Sequence, residues 1–306
     1  MARVAVVVVG AGISGIACAR ELTARGVAVR VLERARTVGG RMASRQMYGR
    51  PVDLGAAYFT ARDEEFTRVV HRWRDAGLAR EWTDELAVLP GTDRTSGPVR
   101  WAAPGGLRSL VADLADGLDV TLERTVKRVG PGPVVDGEPA DAVVLAMPDP
   151  QAARLHAVPP FPDWTPVISV AAGWSERTWP DLPAAFVNDH PVLTLVADDG
   201  ARRGDGAPVL VAHSTADVAR THDAAPDGAV GPVLDALRDL LGVGTPEWTH
   251  AHRWRYASPG QDREEPFHLG DDGVGLAGDG WGKARVETAW RSGTLLARAV
   301  ADRLGA

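Results

Sequence analysis

The stretch from Val4 to Met42 constrains the fold of this chain more than any other. Six consecutive apolar residues, Val4-Ala5-Val6-Val7-Val8-Val9, run straight into Gly10-Ala11-Gly12-Ile13-Ser14-Gly15. An unbroken apolar run of that length predicts a strand buried on both faces, as at the centre of a parallel sheet. The three glycines suit the turn that must follow. Gly10 permits the tight bend, Gly12 lets backbone approach a pyrophosphate, and Gly15 lets the next helix pack closely on the strand. That helix is expected over 13–25, ended by Gly26, with Ile13 and Ser14 in the first turn, where free N–H groups and the helix dipole hold phosphate. A second apolar strand over 27–32 delivers Glu33, whose carboxylate can accept the two hydroxyls of an adenosine ribose. Strand, fingerprint, helix, strand and acid in one unit predict a dinucleotide-binding fold.

The next residues narrow the ligand. Arg34-Ala35-Arg36-Thr37-Val38-Gly39-Gly40-Arg41-Met42 places a Gly-Gly-Arg turn just beyond the ribose acid. Here the chain resembles the flavin-containing amine-oxidase superfamily, in which this arrangement marks FAD. The resemblance implies that Arg34, Gly40 and Arg41 join the cofactor contacts, with Arg41 neutralising the pyrophosphate from the side opposite the helix. Cys18 is the single cysteine and lies in the first helix, at the pyrophosphate end, so it precludes an internal disulfide and is misplaced for tethering a flavin ring. FAD is therefore expected to bind without a covalent link.

A formal charge of −6 and the absence of a dense Lys/Arg run argue against nucleic acid or an anionic membrane as partner. No stretch approaches a membrane span, and the apolar run after Met1 is shorter than a signal-peptide core, which predicts a cytoplasmic protein. No His, Cys and acid set has metal-ligand spacing, so no metal is expected. No subunit interface is legible.

At 306 residues the chain suits two interleaved domains. The expectation is an α/β fold: a Rossmann-type FAD-binding domain, its parallel sheet discontinuous in sequence, with a second mixed-sheet substrate domain, of the p-hydroxybenzoate-hydroxylase and amine-oxidase kind. The FAD-binding part is expected over 1–60, 101–160 and 268–306, the substrate part over 61–100 and 161–267. Gly55, Ala56 and Ala57 are small enough for close backbone passage by the cofactor, and Tyr58 and Phe59 could reach the ring. Phe66, Val69, Val70 and Trp73 share a helical face over 63–76. A polar loop is expected over 91–98, a helix from the Pro104-Gly105-Gly106 turn to about 116, and a third buried strand over 142–147. Within the middle region, strands are expected over 167–174, 185–187, 192–196 and 209–213, a loop over 199–206 and an amphipathic helix over 230–241. His250, His252, Trp254 and Tyr256 recur there at period two. Near the end, Gly278-Asp279 follows a short strand and can bond the ribityl hydroxyls, and a last helix opens at Val286-Glu287 with its dipole toward the pyrimidine end of the flavin.

Several longer blocks resemble bacterial members of the renalase family end to end. They are the run from Asp53 through Tyr58 to Asp63, Glu81-Trp82-Thr83, Arg100-Trp101 before Pro104-Gly105, His252-Arg253-Trp254-Arg255-Tyr256-Ala257, and Gly278-Asp279 followed by Ala284-Arg285-Val286-Glu287. The resemblance implies cofactor contacts from Ala57, Tyr58, Arg285, Val286 and Glu287, and from the backbone of Val126 to adenine. It implies a substrate pocket with His213, Asn188, Tyr58 and Trp281 as candidates. It further implies oxidation of the 2- and 6-dihydro isomers of NAD(P)H to β-NAD(P)+, with hydride passing to flavin and O2 reduced to H2O2. Sister families that oxidise amines usually involve a lysine near the flavin, and the segment 161–267 contains none. An amine or polyamine oxidase remains the second reading, and a non-catalytic flavin-binding redox sensor the third.

Overall fold

The computed structural model describes residues 6–306, so Val4 and Ala5 of the expected first strand lie outside the described residues. β1 (Val6–Val9) passes through Gly10 into α1 (Ile13–Ala24), and β2 (Val29–Leu32) returns beside it. The two strands are parallel with Val9 opposite Leu32, which brings Gly10 and Glu33 to the same edge. A hairpin, β3 (Ser44–Met47) and β4 (Arg50–Asp53), precedes α2 (Glu64–Asp75), whose N-cap Asp63 accepts a hydrogen bond from the Phe66 N–H. β5 (Arg80–Leu89) and β6 (Arg94–Ala102) form a long antiparallel pair. The stretch 91–98, expected to be a loop, is therefore a strand from Arg94 onward. Its residues are mostly exposed, so it lacks the apolar alternation that marks a half-buried strand.

α3 (Leu107–Ala115) and β7 (Val120–Thr121) lead to three two-residue strands, β8 (Val129–Gly130), β9 (Val134–Val135) and β10 (Glu138–Pro139). β11 (Ala142–Leu145) and the short α4 (Asp149–Ala152) follow. The middle of the chain gives β12 (Trp164–Gly173), β13 (Ala184–Val187), β14 (Leu193–Asp198), α5 (Asp199–Arg203) and β15 (Val209–Ser214). After α6 (Ala216–Thr221) and α7 (Val230–Leu241) come β16 (Trp248–Pro259), β17 (His268–Leu269), β18 (Val274–Leu276) and α8 (Val286–Leu304).

Two large sheets organise the molecule. The first runs β17-β18-β11-β1-β2-β7, parallel throughout except for β17. It is the Rossmann-type sheet, and its strands come from both ends of the chain. Its core joins Val6 and Val8 to Ile16 and Leu22 of α1, Leu110 of α3 and Leu296 of α8. Phe66, Val70 and Trp73 of α2 are fully buried in this same core. We infer that the domain boundary expected at residue 61 lies beyond α2. Truncating Trp73 to alanine would cost roughly 3–5 kcal/mol on the usual scale for a buried aromatic. α8 crosses α1 so closely that a Cβ on Gly293 would lie 1.9 Å from the Ser14 carbonyl oxygen, which locks the C-terminal helix against the phosphate-end helix.

The second sheet runs β16-β12-β15-β14-β13-β5-β6 and is antiparallel except where β13 meets β5. Its outer face is closed by α7, whose Val233 and Leu237 bury against Ile168, Val170 and Leu210. The other face turns toward the hairpin and the residues after it: Val52 and Leu54 pack with Ala171, Val209 and Val211. No helix among the described residues is long and apolar enough to cross a membrane.

Candidate flavin site

The dinucleotide end is built by the glycines at the carboxyl edge of β1. Gly10 has φ 108°, and a Cβ there would lie 2.6 Å from the Ala146 carbonyl oxygen; a Cβ on Gly15 would lie 1.9 Å from that of Gly10. Both positions are closed to any side chain. Gly12 differs, because the nearest neighbour to a Cβ there is Gly40 Cα at 3.9 Å. The space above Gly12 is bounded by the Gly-Gly-Arg turn: Gly12 and Gly39 form a parallel bridge, and the Gly39 N–H donates to the Ala11 carbonyl at 2.9 Å. Gly12 is the N-cap of α1 and offers no side-chain cap, and the buried Ser14 Oγ has no partner. A helix start without a capping side chain, an unpartnered hydroxyl and a backbone cleft fit a pyrophosphate.

Glu33 is held at the end of β2 by main-chain donors, Oε2 by the Ala11 N–H at 2.7 Å and Oε1 by the Ala35 N–H at 2.8 Å. Each oxygen keeps a second lone pair for a ribose hydroxyl. Arg34 beside it is exposed. Val126 is buried with Val9 and Leu32 at the same edge. Arg41 makes two hydrogen bonds to Asp279, Nη1 to Oδ2 at 2.8 Å and Nη2 to Oδ1 at 2.5 Å, and stacks over Trp164 at 5.3 Å. Gly278 is fixed by its N–H to Ser292 Oγ at 3.0 Å. The Gly-Gly-Arg turn and the Gly-Asp pair are thus one assembly.

At the start of α8, Arg285 is the N-cap and Val286 the first helical residue, both half-buried. The Glu287 carboxylate turns to the other chain segment and accepts the N–H groups of Arg62 and Asp63, each at 2.6 Å. It caps the approach to α2.

The second sheet presents a row of polar side chains to the stretch carrying Gly55 and Ala57. Ser169 pairs with His213 on one side and His252 on the other, and His213 pairs with Leu195, so the four stand abreast on one face. Ser169 Oγ and His213 Nε2 are buried without partners, as is Trp82 Nε1. Burial first, and the Arg202 guanidinium second, push His213 down to about 4, partly opposed by a hydrogen bond to the Gly55 main chain. Its imidazole is neutral at physiological pH. Beside the row, Tyr58, Trp82, Phe186 and Leu195 pack around Ala57 and Leu86. Arg100 lies over the Tyr58 ring at 5.3 Å.

Other candidates stand elsewhere. Asn188 is exposed at the end of β13, its N–H on the Leu89 carbonyl at 2.9 Å. Trp281 is buried among Val126 and Leu276 in the first sheet's core, with Arg263 over its ring at 4.1 Å. Neither joins the row.

The residues that fix the Gly55 stretch were not foreseen. The segment 199–206, expected to be a loop, begins as α5, and that helix carries a buried ionic cluster. Asp199 pairs with Arg202, with Arg203 at 3.0 Å and with Arg50 at 2.8 Å, and Arg203 also meets Asp53 at 3.0 Å. Burial alone would raise the Asp199 carboxyl, but these arginines overcome it and hold it below its ordinary range. The available signal was Asp199 three and four residues before Arg202 and Arg203, a helical ion-pair spacing. Among the described residues no group of His, Cys, Asp and Glu is placed to hold a metal ion.

Comparison with known proteins agrees with this architecture. The NAD(P)-binding Rossmann-like domain family matches residues 8–73, and the flavin containing amine oxidoreductase family matches residues 76–301. Hydroxyneurosporene desaturase of Rubrivivax gelatinosus is 49% identical over 57 residues, 19% of this chain and only 11% of the desaturase. Cyclohexylamine oxidase from Brevibacterium oxydans shares the fold, with a TM-score of 0.75 at 17% identity over 99% of this chain and 100% of that one. A provisionally named protoporphyrinogen oxidase from Exiguobacterium gives 0.80 at 15% identity, covering 99% of each chain. The glycine cradle, the Arg41–Asp279 assembly and the match across most of its length place this chain in the flavin containing amine oxidoreductase family, with FAD as its cofactor.

Proposed function

We propose that this flavoprotein is a renalase-type oxidase that converts the 2- and 6-dihydro isomers of NAD(P)H to β-NAD(P)+. One dihydronicotinamide dinucleotide, one O2 and one proton give one β-NAD(P)+ and one H2O2. Bound FAD supplies the two-electron acceptor that O2 restores. The protein's share is positioning. Hydride loss from such a dihydropyridine restores aromaticity and removes no proton, so the pocket needs oriented polar groups more than a base.

The observation that carries this reading is the row of Ser169 and neutral His213, whose Ser169 Oγ and His213 Nε2 are buried and free of partners, on a sheet with no lysine. His213, held far below neutrality beside Arg202, is a weak base and a good hydrogen-bond acceptor. Tyr58 and Trp82 flank the row and suit a flat ring. Under this reading Gly10, Gly12, Ser14, Gly15 and Glu33 hold the adenosine diphosphate half of FAD, and Ala57, Tyr58, Asp279 and the α8 N-terminus face its other half.

An amine or polyamine oxidase is the second reading, favoured by the aromatic group of Tyr58, Trp82 and Phe186 and by the fold shared with cyclohexylamine oxidase. An aerobic assay separates the two. Each dihydro isomer should be consumed with one equivalent each of β-NAD(P)+ and H2O2, while putrescine, spermidine and cyclohexylamine give none. Peroxide from the amines alone would establish the second reading.

A further inference from the structure

The pyrophosphate of FAD brings two negative charges to the cleft above Gly12. The first turn of α1 offers roughly half a unit of positive charge. Arg41, expected to supply the rest, is committed elsewhere. Its guanidinium is gripped by both oxygens of Asp279, at 2.8 and 2.5 Å, and Nη1 also donates to the Ala257 carbonyl at 3.0 Å. Arg34 and Arg36 are exposed.

Arg108, the second residue of α3, stands in a different relation to the cleft. Its side chain lies against Gly39, the residue bridged to Gly12; a Cβ on Gly39 would sit 3.1 Å from Arg108 Cγ. Ser44 Oγ accepts the Arg108 N–H at 3.1 Å and so fixes where the side chain begins. Arg108 Nε is buried without a partner, and no described carboxylate forms an ion pair with its guanidinium. Burial lowers its pKa, opposed only by the field of Asp53. That carboxylate is already engaged by Ser44 Oγ, by the Leu107 N–H at 3.0 Å and by Arg203 at 3.0 Å. The charge is partly solvated, but the buried Nε donor has no acceptor within the protein, and an anion in the cleft would supply one.

We propose that Arg108 is a cofactor-binding residue that pairs with the FAD pyrophosphate from α3, while Arg41 ties the Gly-Gly-Arg turn to Asp279. The proposal rests on FAD as cofactor and is independent of the substrate oxidised.

The test titrates full-length protein, stripped of flavin, with FAD, ADP and riboflavin separately. Arg108→Met should weaken FAD and ADP by roughly 10- to 100-fold, the scale of one hydrogen bond to a charged group. It should leave riboflavin unchanged, flatten the salt dependence of FAD binding, and be partly rescued by Arg108→Lys. Unchanged affinity for FAD and ADP in a variant that melts like the wild type would overturn the proposal. If Arg108→Met does not refold, wild-type protein decides by phenylglyoxal modification read by mass spectrometry. FAD and ADP should protect Arg108 and riboflavin should not; equal modification with and without FAD refutes the assignment.

Discussion

Arg202 and Ala57, 145 residues apart in the chain, are joined by a 2.9 Å hydrogen bond from Nη1 to the carbonyl oxygen. The same guanidinium reaches the Asp53 carbonyl at 3.3 Å, so one side chain from α5 holds both ends of the turn over 53–57. His213 offers its ring to Gly55 in the middle. The turn that lies beside the polar row is therefore positioned by a largely buried ion-pair cluster.

Replacing Arg202 by methionine breaks that cluster from one side. Removing one partner of a buried pair typically costs about 3–5 kcal/mol, readable from urea unfolding. The imidazole of His213 should also titrate higher, because a neighbouring positive charge is gone. Arg202→Lys should raise it less. An unchanged His213 titration by NMR would contradict the coupling.

The depressed pKa of His213 sets a pH window. The group titrates near 4 in the folded chain and near 6.5 when unfolded. Between those values the unfolded chain binds more protons, so stability rises with pH across the window and is lost as pH falls from about 6.5 to 4. The full shift corresponds to about 3 kcal/mol. His213→Gln should flatten this slope in denaturant titrations. The slope should not vanish, because burial lowers His250 and His252 as well.

The glycines of the fingerprint should divide by function. Gly15→Ala puts a Cβ 1.9 Å from the Gly10 carbonyl oxygen and should destabilise the flavin-free protein by about 2 kcal/mol or more. Gly12→Ala meets nothing closer than 3.9 Å within the protein and should keep its melting temperature while losing FAD. Melting curves and flavin content of the two variants check this together.

Cys18 is buried in α1, and burial followed by the Glu21 charge pushes its thiol far up. It should resist thiol reagents in the native protein and react once urea unfolds the chain. Rapid native labelling would contradict the packing of α1 against α8.

The parts of the site that the sequence revealed are those whose chemistry is local. Gly10, Gly12, Gly15 and Glu33 act within one strand-turn-helix-strand unit, so their spacing alone predicts their geometry. The α7 stripe, Val233 to Leu237, was legible for the same reason. Partnerships across the chain were not. Asp199, Arg202 and Arg203 beside Gly200 and Gly204 look like a solvated loop until Asp53 and Arg50 are brought to them by the fold. Glu287 sits where a cofactor contact was expected, yet its carboxylate is used by the backbone of Arg62 and Asp63. Ser169 carries no sequence signal at all. Its place is set by strand register, which aligns it with His213 and His252.

The most direct measurement is rapid anaerobic mixing of the purified yellow protein with each 2- or 6-dihydro isomer of NAD(P)H, and separately with putrescine, spermidine and cyclohexylamine, following the flavin absorbance. The account predicts bleaching within seconds by at least one dihydronicotinamide isomer, one equivalent of β-NAD(P)+ per flavin, and no bleaching by the amines. Bleaching by an amine, with every isomer inert, would contradict it.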